Sequence, residues 1–162
     1  MGNGLSPALQ KLLEERKIMR IRADSALVAK EIAGAKADLK DARESFELKK
    51  FKWATIQGYY AMFHSARALL FDKGFREKSH HALFVAIREI YAGKIERSLI
   101  QGFEHGMYLR QEADYSLKFS ERGALDVMEN AEKILDRTRD ILKVKCSYIR
   151  CDSSVARKSK FL

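Results

Sequence analysis

Proline is almost missing from this chain of 162 residues: Pro7 is the only one. Everything after it runs without the residue that most firmly breaks a helix, and β-rich folds need more turn-forming residues than this. Cysteine is equally scarce. Cys146 and Cys151 stand alone in CSYIRC, and two thiols without companion ligands make neither a zinc site nor a disulfide framework. No stretch of about 18 uncharged apolar residues occurs, and no apolar leader follows Met1 to Gly4. The expectation is an all-α protein of the cytoplasm that needs no membrane, metal or cofactor.

What is present fits one folded unit. Hydrophobic residues make up 46% of the chain, enough for a core of respectable size and too many for wholesale disorder. The net charge of +9 looks like a nucleic-acid signature until it is mapped. Lys143, Lys145, Arg150, Arg157, Lys158 and Lys160 against Asp152 concentrate +5 in the last twenty residues, and such a tail attracts polyanions without sequence preference. The expected organisation is a single helical domain over 1–145 followed by a basic, flexible tail over 146–162.

Helical signals succeed one another with short links. Ser6 and Pro7 start a helix whose leucines continue to about Arg20. Asp24 or Ser25 caps a second, with a seam of Val28, Ile32, Ala35, Leu39, Ala42 and Phe46. A central helix ends at Gly74, Phe75 to Ser79 reads as a charged loop, and Ser79 caps a helix that Gly93 closes. Another runs from Lys94 or Ile95 to about Arg110, and Ser120 caps the last. An up-and-down bundle of four to five long helices follows.

The central helix holds the most information. From Trp53 to Phe71 its only charge is Arg67, in a chain that is 33% charged. Turned at about 100° per residue, it shows a large apolar stripe (Ile56, Tyr59, Phe63, Ala66, Leu70) and a small-residue stripe (Ala54, Gly58, Ala61, Ser65, Ala68). A third stripe carries Gln57, Tyr60, His64, Arg67 and Phe71. Buried polar groups cost a few kcal/mol without partners, so this third line must meet other polar residues, a ligand or a second subunit.

The four histidines, His64, His80, His81 and His105, fall within one part of the chain, but none has the HExxH or paired Cys/His spacing of a zinc site. His105 reads as a surface residue. Leu109 to Tyr115, LRQEADY, places Arg110 and Asp114 one turn apart: either an ordinary intrahelical ion pair, or a fork for phosphate or carboxylate with Asp114 positioning it and Tyr115 beside it. Antiparallel neighbours could bring His64, His80, Arg110 and Tyr115 into one catalytic site, with Tyr60, Arg67, Arg76, His81 and Asp114 as binding residues.

The run YYAMFHSARALL, followed by REKSHHAL and LRQEADY, resembles the HEPN (higher eukaryotes and prokaryotes nucleotide-binding) domain in its branch of small prokaryotic proteins, over residues 22–143. The resemblance implies a four- to five-helix bundle, usually a homodimer, often paired with a minimal nucleotidyltransferase as toxin and antitoxin. It also implies a metal-independent ribonuclease site in which Arg, followed four to six residues on by His, faces its counterpart across the dimer. This chain has Arg110 at the expected place but Tyr115 five residues on, and Leu117 where some members carry a tyrosine that accepts a nucleotide. Arg76 and His81 satisfy the spacing by count but precede a helix instead of ending one.

Two functions follow as expectations. One is a HEPN-like protein that binds RNA or a nucleotide beside a nucleotidyltransferase partner. The other is a non-enzymatic module whose helices serve dimerisation or docking.

Overall fold

The computed structural model describes residues 4–152, with side chains through residue 143. Helix α1 (Pro7–Glu14) leads through strand β1 (Ile18–Arg20) to the long α2 (Ser25–Glu47) and α3 (Phe51–Asp72). Strand β2 (Phe75–Glu77), the short α4 (His80–Ile90), α5 (Arg97–Tyr115) and α6 (Glu121–Asp152) complete the order. Among the described residues the fold is thus all-α apart from one two-stranded ribbon. The expected flexible tail lies, beyond Asp152, outside the described residues.

Local chemistry fixes the helix starts. Ser6 accepts from the Leu9 N–H, Asp24 from Ala26, and Ser79 from Ala82; Ser120 does the same for Gly123 at 3.0 Å. Each satisfies a donor the first turn would otherwise orphan. Gly74 and Gly93 sit at φ +76° and +75°, the left-handed conformation that ends a helix.

Two expectations are corrected. Helix α1 stops at Glu14 and does not reach Arg20, because Arg16 turns left-handed at φ 54°. The Arg16 and Lys17 N–H groups then bond back to Leu13 and Leu12, a terminator usually built on glycine. Freed from the helix, Ile18–Arg20 pairs antiparallel with Phe75–Glu77, so the expected charged loop begins as a strand. Ile18 and Phe75 pass to the core on its inward face.

Helix α3 is the axis. It packs against α2, α5 and α6, and fourteen of its residues are buried. The small stripe faces the backbone of α6: a Cβ added at Gly58 would stand 3.0 Å from Val127 Cγ1 and 3.6 Å from the Met128 nitrogen. Leu9, Leu12 and Ile18 share one core with Tyr59, Met62, Leu69, Leu83 and Phe103, which ties α1 and β1 into the bundle.

Candidate functional site

The polar stripe of α3 meets a matching stripe on α2. Ser45 and Gln57 lie 2.7 Å apart. His64 is gripped by two carboxylates, with Glu31 Oε2 2.6 Å from Nδ1 and Asp38 Oδ2 3.4 Å from Nε2. Arg67 reaches Glu31 at 3.8 Å and, through Nε, Glu77 Oε1 at 2.7 Å. Glu31 and Glu77 are buried, and burial raises the Glu77 carboxyl above 4.5 against the pull of Arg67. Burial likewise raises Asp38, opposed by His64 and reinforced by Asp41.

A second group forms where α3, α4 and α5 meet. The Tyr59 hydroxyl lies 2.7 Å from His80 Nδ1, and the Arg110 guanidinium sits 5.2 Å above the Tyr59 ring. Burial pushes the phenol well above its usual range, more than the Arg110 charge lowers it. The phenol therefore stays protonated, and its O–H finds an acceptor in His80 Nδ1. That arrangement leaves the imidazole proton on Nε2. Burial first, then the charges of Arg110 and Arg67, hold His80 below 6.5 and favour the neutral ring. Arg110 shows only 8% of its side chain to solvent, lies 3.8 Å from Asp114, and leaves Nε without a hydrogen-bond partner.

Tyr60 and Phe63 separate the two groups. Phe63 stands 4.6 Å from the His80 ring and 5.6 Å from His64, and Tyr60 contacts both. His64, His80, Arg67, Arg110, Tyr60 and Asp114 thus belong to one continuous cluster. Tyr115 does not. Five residues beyond Arg110 is about 140° around a helix, and Tyr115 is 77% exposed. Arg76 points outward from β2, and His81 is exposed at the start of α4. His105 is exposed on α5, where it stacks on Tyr108.

Glu31, Asp38, Glu77 and Tyr59 are members of the cluster that sequence reasoning missed. Glu31 and Asp38 had a signal. They stand one heptad apart, each beside the apolar seam of α2, and charges so close to a seam face the neighbouring helix edge-on. Tyr59 read as one more apolar contact. Glu77 acquires its inward orientation only from the pairing of β2. Among the described residues, no group of three His, Cys, Asp or Glu side chains is arranged to hold a metal ion, and no helix is long and apolar enough to cross a membrane.

Comparison with known proteins agrees with this architecture. The "Putative toxin" of Methanocaldococcus jannaschii is 33% identical over 112 residues, 67% of this chain and 84% of that protein. A "UPF0332 protein" of Archaeoglobus fulgidus is 27% identical over 108 residues, 63% of this chain and 84% of its own. Another from Thermotoga maritima is 26% identical over 113 residues, 67% of this chain and 86% of its own. The HEPN domain matches residues 29–147, a span that includes α3, α4 and α5 entire, and the chain belongs to the HEPN domain family.

Proposed function

We propose that this chain binds RNA or a nucleotide at the Arg110, Tyr59 and His80 cluster, as a homodimer that works with a minimal nucleotidyltransferase in a toxin and antitoxin pair. One observation carries the reading. Arg110 is more than nine-tenths buried, yet its Nε–H has no hydrogen-bond partner and its counter-ion, Asp114, is 3.8 Å away and 44% exposed. A guanidinium costs free energy to bury, and its planar fork, with a donor to spare, suits an anion that accepts two hydrogen bonds, such as phosphate. The neighbouring His80 Nε2–H adds a donor without adding charge. The name of the Methanocaldococcus jannaschii relative is in keeping with a toxin role.

Binding is better supported than cleavage. In a metal-free ribonuclease, Arg110 would stabilise the charge on the phosphorane and a protonated His80 would deliver a proton, but burial and the charges of Arg110 and Arg67 favour the neutral ring. The base is the weak point: Tyr115 is remote and exposed, and Tyr59 is held protonated.

The test measures binding of fluorescent RNA and nucleotides, with cleavage followed in chelator, for the wild type and for His64→Ala, His80→Ala, Arg110→Ala and Arg110→Lys. Removing a charged hydrogen-bond donor is worth about 1.5–3 kcal/mol, so Arg110→Ala should weaken binding by roughly tenfold or more, and Arg110→Lys should restore part of it. Light scattering should give twice the chain mass. A wild type that binds neither RNA nor nucleotide overturns the reading.

One observation favours the interaction module instead: the carboxylates of Glu31, Asp38 and Glu77 already occupy His64 and Arg67. Under that reading the cluster only fastens α2 and β2 to α3. An intact dimer without RNA affinity would select it.

A further inference from the structure

Seven of the thirteen residues in 16–22 and 73–78 are Lys or Arg, against a single acid, Glu77. The fold brings these two distant segments side by side as β1 and β2, and their register decides where the charges point. Ile18 opposite Glu77 faces inward, both buried, and Phe75 closes the same face. Met19 opposite Arg76 faces out. Lys17 is set opposite Lys78 by a 2.9 Å bond from the Lys78 N–H to the Lys17 carbonyl, and both are exposed. Arg20 lies across the Phe75 ring at 5.2 Å.

Like charges directly opposite on a ribbon destabilise it, and Glu15, 2.6 Å from Lys17, offsets the pair in part. Beyond β1 the chain turns into α2 around a concavity of about 480 Å³, lined by Arg22, Arg76, Ile21, Ser25 and Leu27 together with Asp24. The Asp24 carboxylate is engaged by the Ala26 N–H at 2.8 Å. Among the described residues, Arg22 and Arg76 form no ion pair. On its inner side the ribbon backs onto the cluster already described, because Glu77 holds Arg67.

We propose that the outer face of the β1–β2 ribbon, continued into the Arg22 and Arg76 concavity, is the track for an RNA phosphodiester backbone; this inference rests on the RNA reading of the Arg110 cluster. Side chains repeating on one face of a strand present cations in a row, as a chain of phosphates requires. The concavity adds Ile21 and Leu27 as apolar walls for a base. A lipid surface is the poorer fit. Binding at a membrane interface needs a band of bulky apolar or aromatic groups beside the cations, and this face exposes two, Met19 and Leu27, each 39% exposed and neither aromatic.

The experiment compares three full-length proteins: wild type, the ribbon variant Arg22→Ser/Arg76→Ser/Lys78→Ser, and a control with the same loss of charge elsewhere, Lys36→Ser/Lys40→Ser/Lys133→Ser. Affinity for a fluorescent single-stranded RNA is measured from about 50 to 200 mM salt, the range over which counterion release is readable. Far-ultraviolet circular dichroism and light scattering check fold and self-association. The ribbon variant should bind on the order of tenfold more weakly, with a log–log salt slope shallower by about 2, since each phosphate contact on a single strand contributes about 0.7. The control should stay close to wild type.

Equal losses in ribbon and control variants would mean that only net charge matters, and would overturn the track. Unchanged affinity with new self-association would overturn it too, assigning the cations to guarding open strand edges against pairing. In both cases the Arg110 reading survives, provided wild type binds RNA and Arg110→Ala binds it roughly tenfold or more weakly. A wild type that ignores RNA but binds phosphatidylserine vesicles overturns the track together with the RNA form of the Arg110 reading, and one that also ignores nucleotides overturns that reading whole.

Discussion

His80 and Glu77 show how burial sets the chemistry of single residues here, and they push in opposite directions with pH. His80 is held below 6.5 by burial, then by Arg110 and Arg67. As pH falls through 6.5 the unfolded chain takes up this proton first, so the stability His80 contributes is present above that value and lost on acidification. Glu77 is raised above 4.5 by burial. Its ionised form is costly at neutral pH, and the folded state gains relative stability as pH falls through the raised value. NMR titration should therefore place the His80 imidazole midpoint below 6.5, and Arg110→Ala should move it upward. A wild-type midpoint at or above 6.5 would contradict the geometry. Glu31 offers a second check. It serves both His64 and Arg67, and Glu31→Ala takes one of two carboxylates from a ring and a guanidinium that are 27% and 23% exposed, leaving them Asp38 and Glu77. Removing one partner of a fully buried pair costs about 3–5 kcal/mol, so this half-shielded pair should lose roughly 2 kcal/mol in urea unfolding. Glu31→Gln, which keeps an acceptor, should lose less.

At the scale of the element, what was legible in the sequence was what local chemistry controls. Ser6, Asp24, Ser79 and Ser120 announce helix starts because a short oxygen-bearing side chain can reach its own first turn, and Gly74 and Gly93 announce ends. The end at Arg16 was hidden, since Arg16 adopts φ 54° without being glycine; Lys49, in the basic link that the sequence did show between α2 and α3, adopts φ 57°. Lys49 and Lys50 return their N–H groups to Phe46 and Ser45, so the same turn forms on a side chain that resists it. Lys49→Gly should relieve that resistance and stabilise the protein by up to about 1 kcal/mol in denaturant unfolding. Gly58 tests the α3–α6 approach in the opposite sense. For Gly58→Ala, the helix-propensity gain of about 1 kcal/mol offsets the crowding at Val127. Gly58→Leu, with no room against the Met128 backbone, should cost about 3 kcal/mol. Equal stability for the Leu and Ala variants would mean the helices do not touch there.

At the scale of the whole molecule, periodicity revealed the bundle, because every long helix carries its own seam. The ribbon was not visible. Ile18, Met19 and Arg20 form a strand only through partners more than fifty residues away in sequence, and nothing within three residues encodes such a partner. The site was half legible for the same reason. His64, Arg67, His80 and Arg110 stood out by residue type, whereas Glu31 and Asp38 passed for the solvated side of an amphipathic helix. Because Ile18 is 1% exposed and shares its core with α3, Ile18→Ala should lower the stability of the entire fold by about 2–4 kcal/mol. Far-ultraviolet and near-ultraviolet circular dichroism, the latter reporting buried Tyr59 and Tyr91, should shift together as one transition. Separate transitions would show that α1 and the ribbon melt as a unit of their own.

The pairing of α2 with α3 also bears on how the chain assembles. Ser45 with Gln57, Asp38 with His64 and Glu31 with Arg67 match in reverse order along the two helices. Oily seams tolerate sliding; this one does not, for a slip of one turn would press Glu31 against Phe63 or Phe71. The hairpin therefore works like a notched key. During synthesis it can seat itself in a single alignment before α5 and α6 arrive, and the later helices dock onto a platform whose histidine and arginine are already aimed.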